Sequence, residues 1–138
     1  NDPSVLFFST HQYPHYPGTG RETERGKGTG EGFTINVTME AGEGDDEYRA
    51  VFQKVLVAAA DDFKPEFVII SAGFDAHKDD PLASMGLTES GYAELTEIVA
   101  GIATRHANGR LLSSLEGGYN LTALAASVEA HIKTLLAV

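Results

Sequence analysis

The chain has 138 residues, 42% of them apolar and 9% aromatic, the balance of one ordinary globular domain spanning 1–138 with a sizeable core. Its formal net charge of −10 excludes the basic surface that non-specific nucleic-acid binding demands, and it favours cationic partners such as lysine-rich peptides or polyamines. The lack of cysteine excludes disulfides and thiolate metal sites, so any metal would rest on His, Asp or Glu.

Taken in chain order, Asn1-Asp2-Pro3-Ser4 carries no basic leader, and no later apolar run reaches the roughly 18 residues of a membrane span, so a cytoplasmic location is expected. The apolar run Val5-Leu6-Phe7-Phe8 predicts a strand buried on both faces. Gly18 to Gly32, rich in Gly, Glu, Arg and Lys, predicts a long exposed loop. Phe33-Thr34-Ile35-Asn36-Val37 alternates as a strand with one face exposed. Tyr48, Val51, Phe52, Val55, Leu56 and Ala59 recur at helical steps after the acidic turn Asp45-Asp46-Glu47, with Pro65 ending the helix. Phe67 to Ser71 is β-branched and predicts a central strand. Thr88 is the expected N-cap of a helix with Tyr92, Leu95, Val99 and Ile102 on one face, closed by Gly109. Arg110 to Leu115 predicts a fourth strand, and Asn120 opens a last helix with Leu121, Leu124, Ala125, Val128, Ile132 and Leu135 as its stripe. This alternation predicts a three-layer α/β/α domain with a parallel sheet, in which ligands bind beyond the carboxyl ends of the strands.

Three of those ends carry chemistry. In Ser71-Ala72-Gly73-Phe74-Asp75-Ala76-His77, a strand delivers Asp75 to the sheet edge, and extended backbone would put Asp75 and His77 on one face as a metal-binding pair; the alternative is that Asp75 caps the following turn. Asp80, before Pro81, reads as a turn or cap residue rather than a ligand. In Leu115-Glu116-Gly117-Gly118-Tyr119-Asn120, two glycines permit a sharp turn, after which the Tyr119 hydroxyl either donates to a developing oxyanion or is simply packed. In His11-Gln12-Tyr13-Pro14-His15-Tyr16-Pro17-Gly18-Thr19-Gly20, aromatics and prolines suit a stiff pocket wall, and His11 or His15 is either a ligand or base or a hydrogen-bonded loop histidine. His106 and His131 lie in helical stretches and read as structural.

In order and spacing these three segments, with Asp80-Pro81-Leu82, resemble the histone deacetylase superfamily over essentially the whole chain; Phe74-Asp75-Ala76-His77 and Glu116-Gly117-Gly118-Tyr119 are similar to its class II and bacterial acetylpolyamine amidohydrolase branch. The resemblance implies an arginase-like α/β fold around a parallel sheet of eight strands. It implies a zinc-dependent hydrolysis of acetyl-amides on lysine peptides or acetylpolyamines. Asp75 would be a zinc-ligating carboxylate, Tyr119 the hydroxyl that polarises the acetyl carbonyl, Tyr16 an aromatic lining the acyl tunnel, and Gly117 and Gly118 the shapers of its floor. Ser9 and Thr10 match positions near one structural potassium, and Val5 and Phe33 near a second; His77 is not a ligand in the family pattern.

The Asp-x-His ligands and paired histidines of the family pattern are not found in the chain, and they are expected upstream of Asn1. The expectation is therefore a C-terminal portion of a deacetylase, inactive alone. A family strand is also missing between the strand ending at Asp75 and the one starting at Val5, which predicts direct pairing, a slot, or a strand accepted from another molecule as a homo-oligomer. Two other readings stand beside it: a non-catalytic binding or assembly module, and a different metal hydrolase built on Asp75, His77 and His11 or His15.

Overall fold

The computed structural model describes residues 1–138, which form two compact units, Asn1–Ala41 and Gly42–Val138. In the first, β1 (Phe7–Gln12) and β2 (Thr34–Met39) pair in parallel, Phe7 opposite Thr34 and Gln12 opposite Met39. The strand begins within the apolar run but continues through its polar half, because the ladder with β2 satisfies the backbone whatever the side chains are. Burial on both faces is not realised: Phe7 is 53% exposed, and Val5, just before the strand, is 59% exposed. The segment between the strands contains a 3₁₀ turn at Gly28–Gly30 and is pinned from β2, where Asn36 Nδ2 donates to the carbonyls of Glu24 (2.9 Å) and Arg21 (3.3 Å).

In the second unit, one helical stretch runs through α1 (Asp45–Val51), a π-turn (Phe52–Leu56) and α2 (Val57–Phe63). Glu47 accepts the Gly44 N–H at its start, and Lys64 in the left-handed region (φ 57°) stops it one residue before Pro65. β3 (Val68–Ala72) pairs in parallel with β4 (Leu111–Leu115), Val68 opposite Leu111 and Ala72 opposite Leu115. Between them, α3 (Glu89–Ala107) starts at Thr88, whose Oγ1 accepts the Gly91 N–H, and ends at left-handed Asn108 and Gly109. Thr88 is itself gripped by Asp45, whose two carboxylate oxygens accept its N–H (2.8 Å) and its hydroxyl (2.6 Å). The last helix, α4 (Leu121–Ala137), opens at Asn120, whose side chain accepts the N–H groups of Thr122 and Ala123. No helix is long and apolar enough to cross a membrane.

The core lies between α3, its neighbours α1 and α4, and one face of the β3–β4 pair. Ile69 on the other face is 69% exposed, so β3 is not buried on both sides as a central strand would be; it has a single ladder partner. The buried face of α4 is also not the predicted one. Ala123, Ser127 and His131 point inward, whereas Leu121 is 77% and Ile132 49% exposed. The small side chains of Ala123 and Ser127 let α4 approach α3 closely, and His131 crosses the seam by hydrogen bonds.

That seam is an oriented network. The single Thr96 hydroxyl proton goes to the Tyr92 carbonyl (2.6 Å), so Thr96 Oγ1 accepts from His131 Nδ1–H (2.7 Å), and His131 Nε2 in turn accepts from the Ser113 hydroxyl (2.8 Å). Burial holds the ring's pKa below the ordinary histidine value, which favours this neutral tautomer. Below about pH 6.5 the unfolded chain takes a proton that the native His131 resists, so this contribution to stability is complete above that pH and declines as pH falls toward the native pKa. We expect urea midpoints to drop between about pH 7.5 and about pH 5.5, and His131→Gln to be less stable by about 1–3 kcal/mol at the higher pH yet to show a shallower pH dependence. A variant slope equal to the parent's would place the proton uptake elsewhere.

Candidate functional site

The β3–β4 ladder does not stop at its last rung. Glu116 N–H donates to the Ala72 carbonyl (3.0 Å), and Phe74 N–H donates to the Gly117 carbonyl (2.8 Å), so the two strand-end loops leave the sheet side by side. Phe74 then anchors its loop in the core, its ring 5.0 Å from that of Tyr92 and 5.8 Å, edge-on, from that of His131. With Phe74 fixed inward, Asp75 is delivered against Gly117. A Cβ on Gly117 would stand 2.6 Å from Asp75 Oδ2 and 2.9 Å from its Cγ, so only glycine admits the carboxylate there. Gly118, at φ +140°, is packed under Leu124 and Phe74.

The loop beyond Asp75 is stiff. Leu87 N–H donates to the Ala76 carbonyl and Lys78 N–H to the Leu87 carbonyl, a short parallel bridge that buries His77 to 1% exposure. His77 Nδ1 accepts the Asp79 N–H (3.1 Å), which leaves the proton on Nε2, 3.5 Å from a Glu89 carboxylate oxygen. The Glu89 carboxyl is held below its usual range first by its own backbone N–H and, after the opposing effect of burial, by His77. His77 is thus a buried structural residue, and the metal pair with Asp75 is not formed.

Asp80 is the feature that spacing alone understated. Its Oδ1 accepts the Leu82 N–H (2.9 Å), the expected turn, but its Oδ2 reaches 39 residues along the chain to accept the Tyr119 N–H (2.8 Å). Asn120 Nδ2 donates to the Asp79 carbonyl (2.9 Å) while its oxygen caps α4. The Tyr119 side chain is 54% exposed at this edge. Two tyrosines that sequence periodicity marks only as core also belong to the surroundings. The phenols of Tyr48 and Tyr92 are both pushed up, each first by burial, with the negative charge of Asp75 adding to the effect.

Tyr16 belongs to the first unit, where it is 91% exposed and borders an open cleft of about 800 Å³ together with His11, Glu24 and Asn36. His11 has both nitrogens engaged, Nδ1 accepting from the Ser9 hydroxyl (3.0 Å) and Nε2–H donating to the Gly20 carbonyl (2.8 Å), so it is a hydrogen-bonded loop histidine. The positions associated with potassium, Ser9 and Thr10 within β1 with Val5 and Phe33 outside the strands, lie in the same unit. Nowhere do three His, Asp or Glu side chains converge to hold a metal.

The family profile described as the histone deacetylase domain matches residues 1–135. The chain belongs to the histone deacetylase family. It is 47% identical over 121 residues to a probable deacetylase of Archaeoglobus fulgidus, an alignment covering 88% of this chain and 34% of that protein. It is 41% identical over 143 residues to the human polyamine deacetylase HDAC10, covering 99% of this chain and 21% of that protein. The solved structure of the histone deacetylase Clr3 superposes with a TM-score of 0.93 at 40% identity, over 99% of this chain and 23% of that one. The histone deacetylase chain therefore spans about a third or less of the curated relatives it matches.

The close approach of Asp75 to Gly117 is testable. Gly117→Ala must displace the Asp75 carboxylate and is expected to destabilise the chain by about 1–3 kcal/mol. Gly101→Ala, at a mid-helix position of α3 with open space around its Cβ, is expected to stabilise it by up to about 1 kcal/mol. Denaturant titration of both variants checks the contrast, and equal shifts would refute the close approach of Asp75.

Proposed function

We propose that this chain is the C-terminal portion of a zinc-dependent deacetylase domain that hydrolyses acetyl-amides of lysine peptides or polyamines, and that it is inactive by itself. The observation that carries this reading is the pairing of loops at the carboxyl edge of β3 and β4. It sets a carboxylate, Asp75, against Gly117 and anchors the backbone of an exposed tyrosine, Tyr119, beside it. Membership of the histone deacetylase family supports the reaction class, and the human relative's name supports polyamines as one substrate class.

In this reading Tyr119 donates a hydrogen bond from its hydroxyl to the acetyl oxygen as it gains negative charge, a contribution typically worth about 10²–10³ in rate. Gly117 and Gly118 shape the floor beside it, and Tyr16 contributes an aromatic wall to the acyl tunnel. Asp75 contributes one carboxylate to a zinc centre. A catalytic zinc takes about three protein ligands and an open position, and the side chains of this chain do not fit that requirement by themselves. The remaining ligands and the general-base histidines are assigned to protein outside residues 1–138. The acidic chain, at −10, suits cationic polyamines and lysine-rich peptides.

One observation favours a second reading, an assembly module without catalysis. Ile69 and Leu112 stand opposite each other in register on the uncovered face of the β3–β4 pair, 69% and 51% exposed. Such a face suits burial against another polypeptide, including a second copy of the chain.

The test replaces the matching third of the Archaeoglobus relative by this chain and measures zinc content and acetyl-lysine and acetylpolyamine hydrolysis. The hybrid is expected to hold zinc and hydrolyse substrate, Asp75→Ala to lose zinc, and Tyr119→Phe to keep zinc while losing about 10²–10³ in kcat. The chain alone is expected to show neither stoichiometric zinc nor hydrolysis. A hybrid that folds and binds zinc but is indifferent to Tyr119→Phe would leave the assembly reading standing instead.

A further inference from the structure

Asp80 is 7% exposed, and no lysine, arginine or histidine pairs with it; each carboxylate oxygen instead accepts one backbone N–H, from Leu82 and from Tyr119. Its own N–H donates to the His77 carbonyl (2.9 Å), which ties it to the most rigid part of the loop. The partner segment needs such a tether. Tyr119 follows Gly117 and Gly118, two residues with the least intrinsic preference for any one backbone conformation, and Gly118 sits at φ +140°. On the other side, Asn120 is held both by the Asp79 carbonyl and by the first turn of α4. With both bonds made, the backbone of Tyr119 is fixed and only its χ1 and χ2 remain free.

We infer that Asp80 is the positioning residue of Tyr119: its buried carboxylate ties the glycine-flanked tyrosine to the same stiff loop that carries Asp75. The inference rests on the deacetylase reading for what Tyr119 does, and on the hydrogen bonds alone for how it is held. The two N–H donors approach different oxygens of one side chain, so this geometry uses two acceptor atoms. An asparagine offers one acceptor and sets its own N–H₂ against a donor, and a glutamate is one methylene too long to serve both bonds. The consequence is that the two groups assigned to the reaction, a carboxylate and a phenol from segments about forty residues apart, are referred to a single piece of backbone, residues 74 to 80. Small misplacements of a reacting group lose about 10²-fold in rate, which is the scale such a tether protects.

The first arm of the test uses the chain itself and reads amide hydrogen exchange residue by residue in the parent, Asp80→Asn and Asp80→Ser. Exchange at Tyr119 is expected to quicken at least tenfold in both variants while the amides of Ile102 and Ala103 in α3 keep their protection. The second arm uses the hybrid with the archaeal relative. Asp80→Asn is expected to lower kcat by about 10- to 100-fold with a smaller change in KM, and to cause no further loss in a Tyr119→Phe background, because the group it positions is already absent. Unchanged Tyr119 exchange beside an intact core overturns the inference, as do kinetic losses that add in full. Collapse of the α3 amides in both variants overturns it too, since the carboxylate would then serve global stability. An inactive hybrid sinks the deacetylase reading and leaves the exchange arm to decide the tether.

Discussion

One hydrogen bond, from Phe74 N–H to the Gly117 carbonyl, sets the geometry on which the edge of the second unit depends. Parallel strands end at the same side of a sheet, but nothing in strand pairing requires the loops beyond them to stay together. Here the loops remain in register two residues past the last rung, with Phe74 turned into the core against Tyr92 and His131. Asp75 then meets the partner loop, which must offer glycine at the point of contact. The bond, the inward phenylalanine and the missing Cβ are three aspects of one constraint. A change in any of them reaches the carboxylate.

The support beneath that edge is polar, which is unusual for a helix seam. Thr96, His131 and Ser113 join α3, α4 and β4 through hydrogen bonds whose donors and acceptors are all assigned. A seam of this kind resists sliding and rotation, because its hydrogen bonds weaken as their angles depart from linear, whereas an all-leucine seam can shift and repack. Since the His131 ring also meets Phe74, the orientation of α4 and the direction in which Asp75 leaves β3 are set by the same contact.

Much of this was legible in the residues. Thr88 and Asn120 announced their caps, Pro65 and Gly109 their helix ends, and the β-branched runs their strands, because each signal is local and backbone-driven. The motif segments around Asp75, Gly117 and Tyr119 could be singled out for the same reason: a strand followed by polar or glycine residues marks the edge of a parallel sheet. What spacing could not supply was long-range pairing. The helical periodicity of α4 pointed to its leucines, yet helix contact is governed by how closely two backbones approach, and Ala123 and Ser127 win that competition. Asp80 next to Pro81 carried every mark of a turn residue and is one, but its second oxygen serves a residue on another strand's loop. His77 showed the opposite error: a two-residue spacing from Asp75 suggests a shared face only if the backbone stays extended, and it turns instead.

Electrostatics ties the edge to the proposed chemistry. No lysine, arginine or histidine side chain forms an ion pair with Asp75, and its charge is felt by the phenols of Tyr48 and Tyr92. Both phenols therefore stay protonated, able to donate but not to neutralise. The carboxylate bonded to Tyr119 is likewise held without a cation, each oxygen accepting one backbone N–H. Amide dipoles thus satisfy Asp80 without adding a positive charge to the edge.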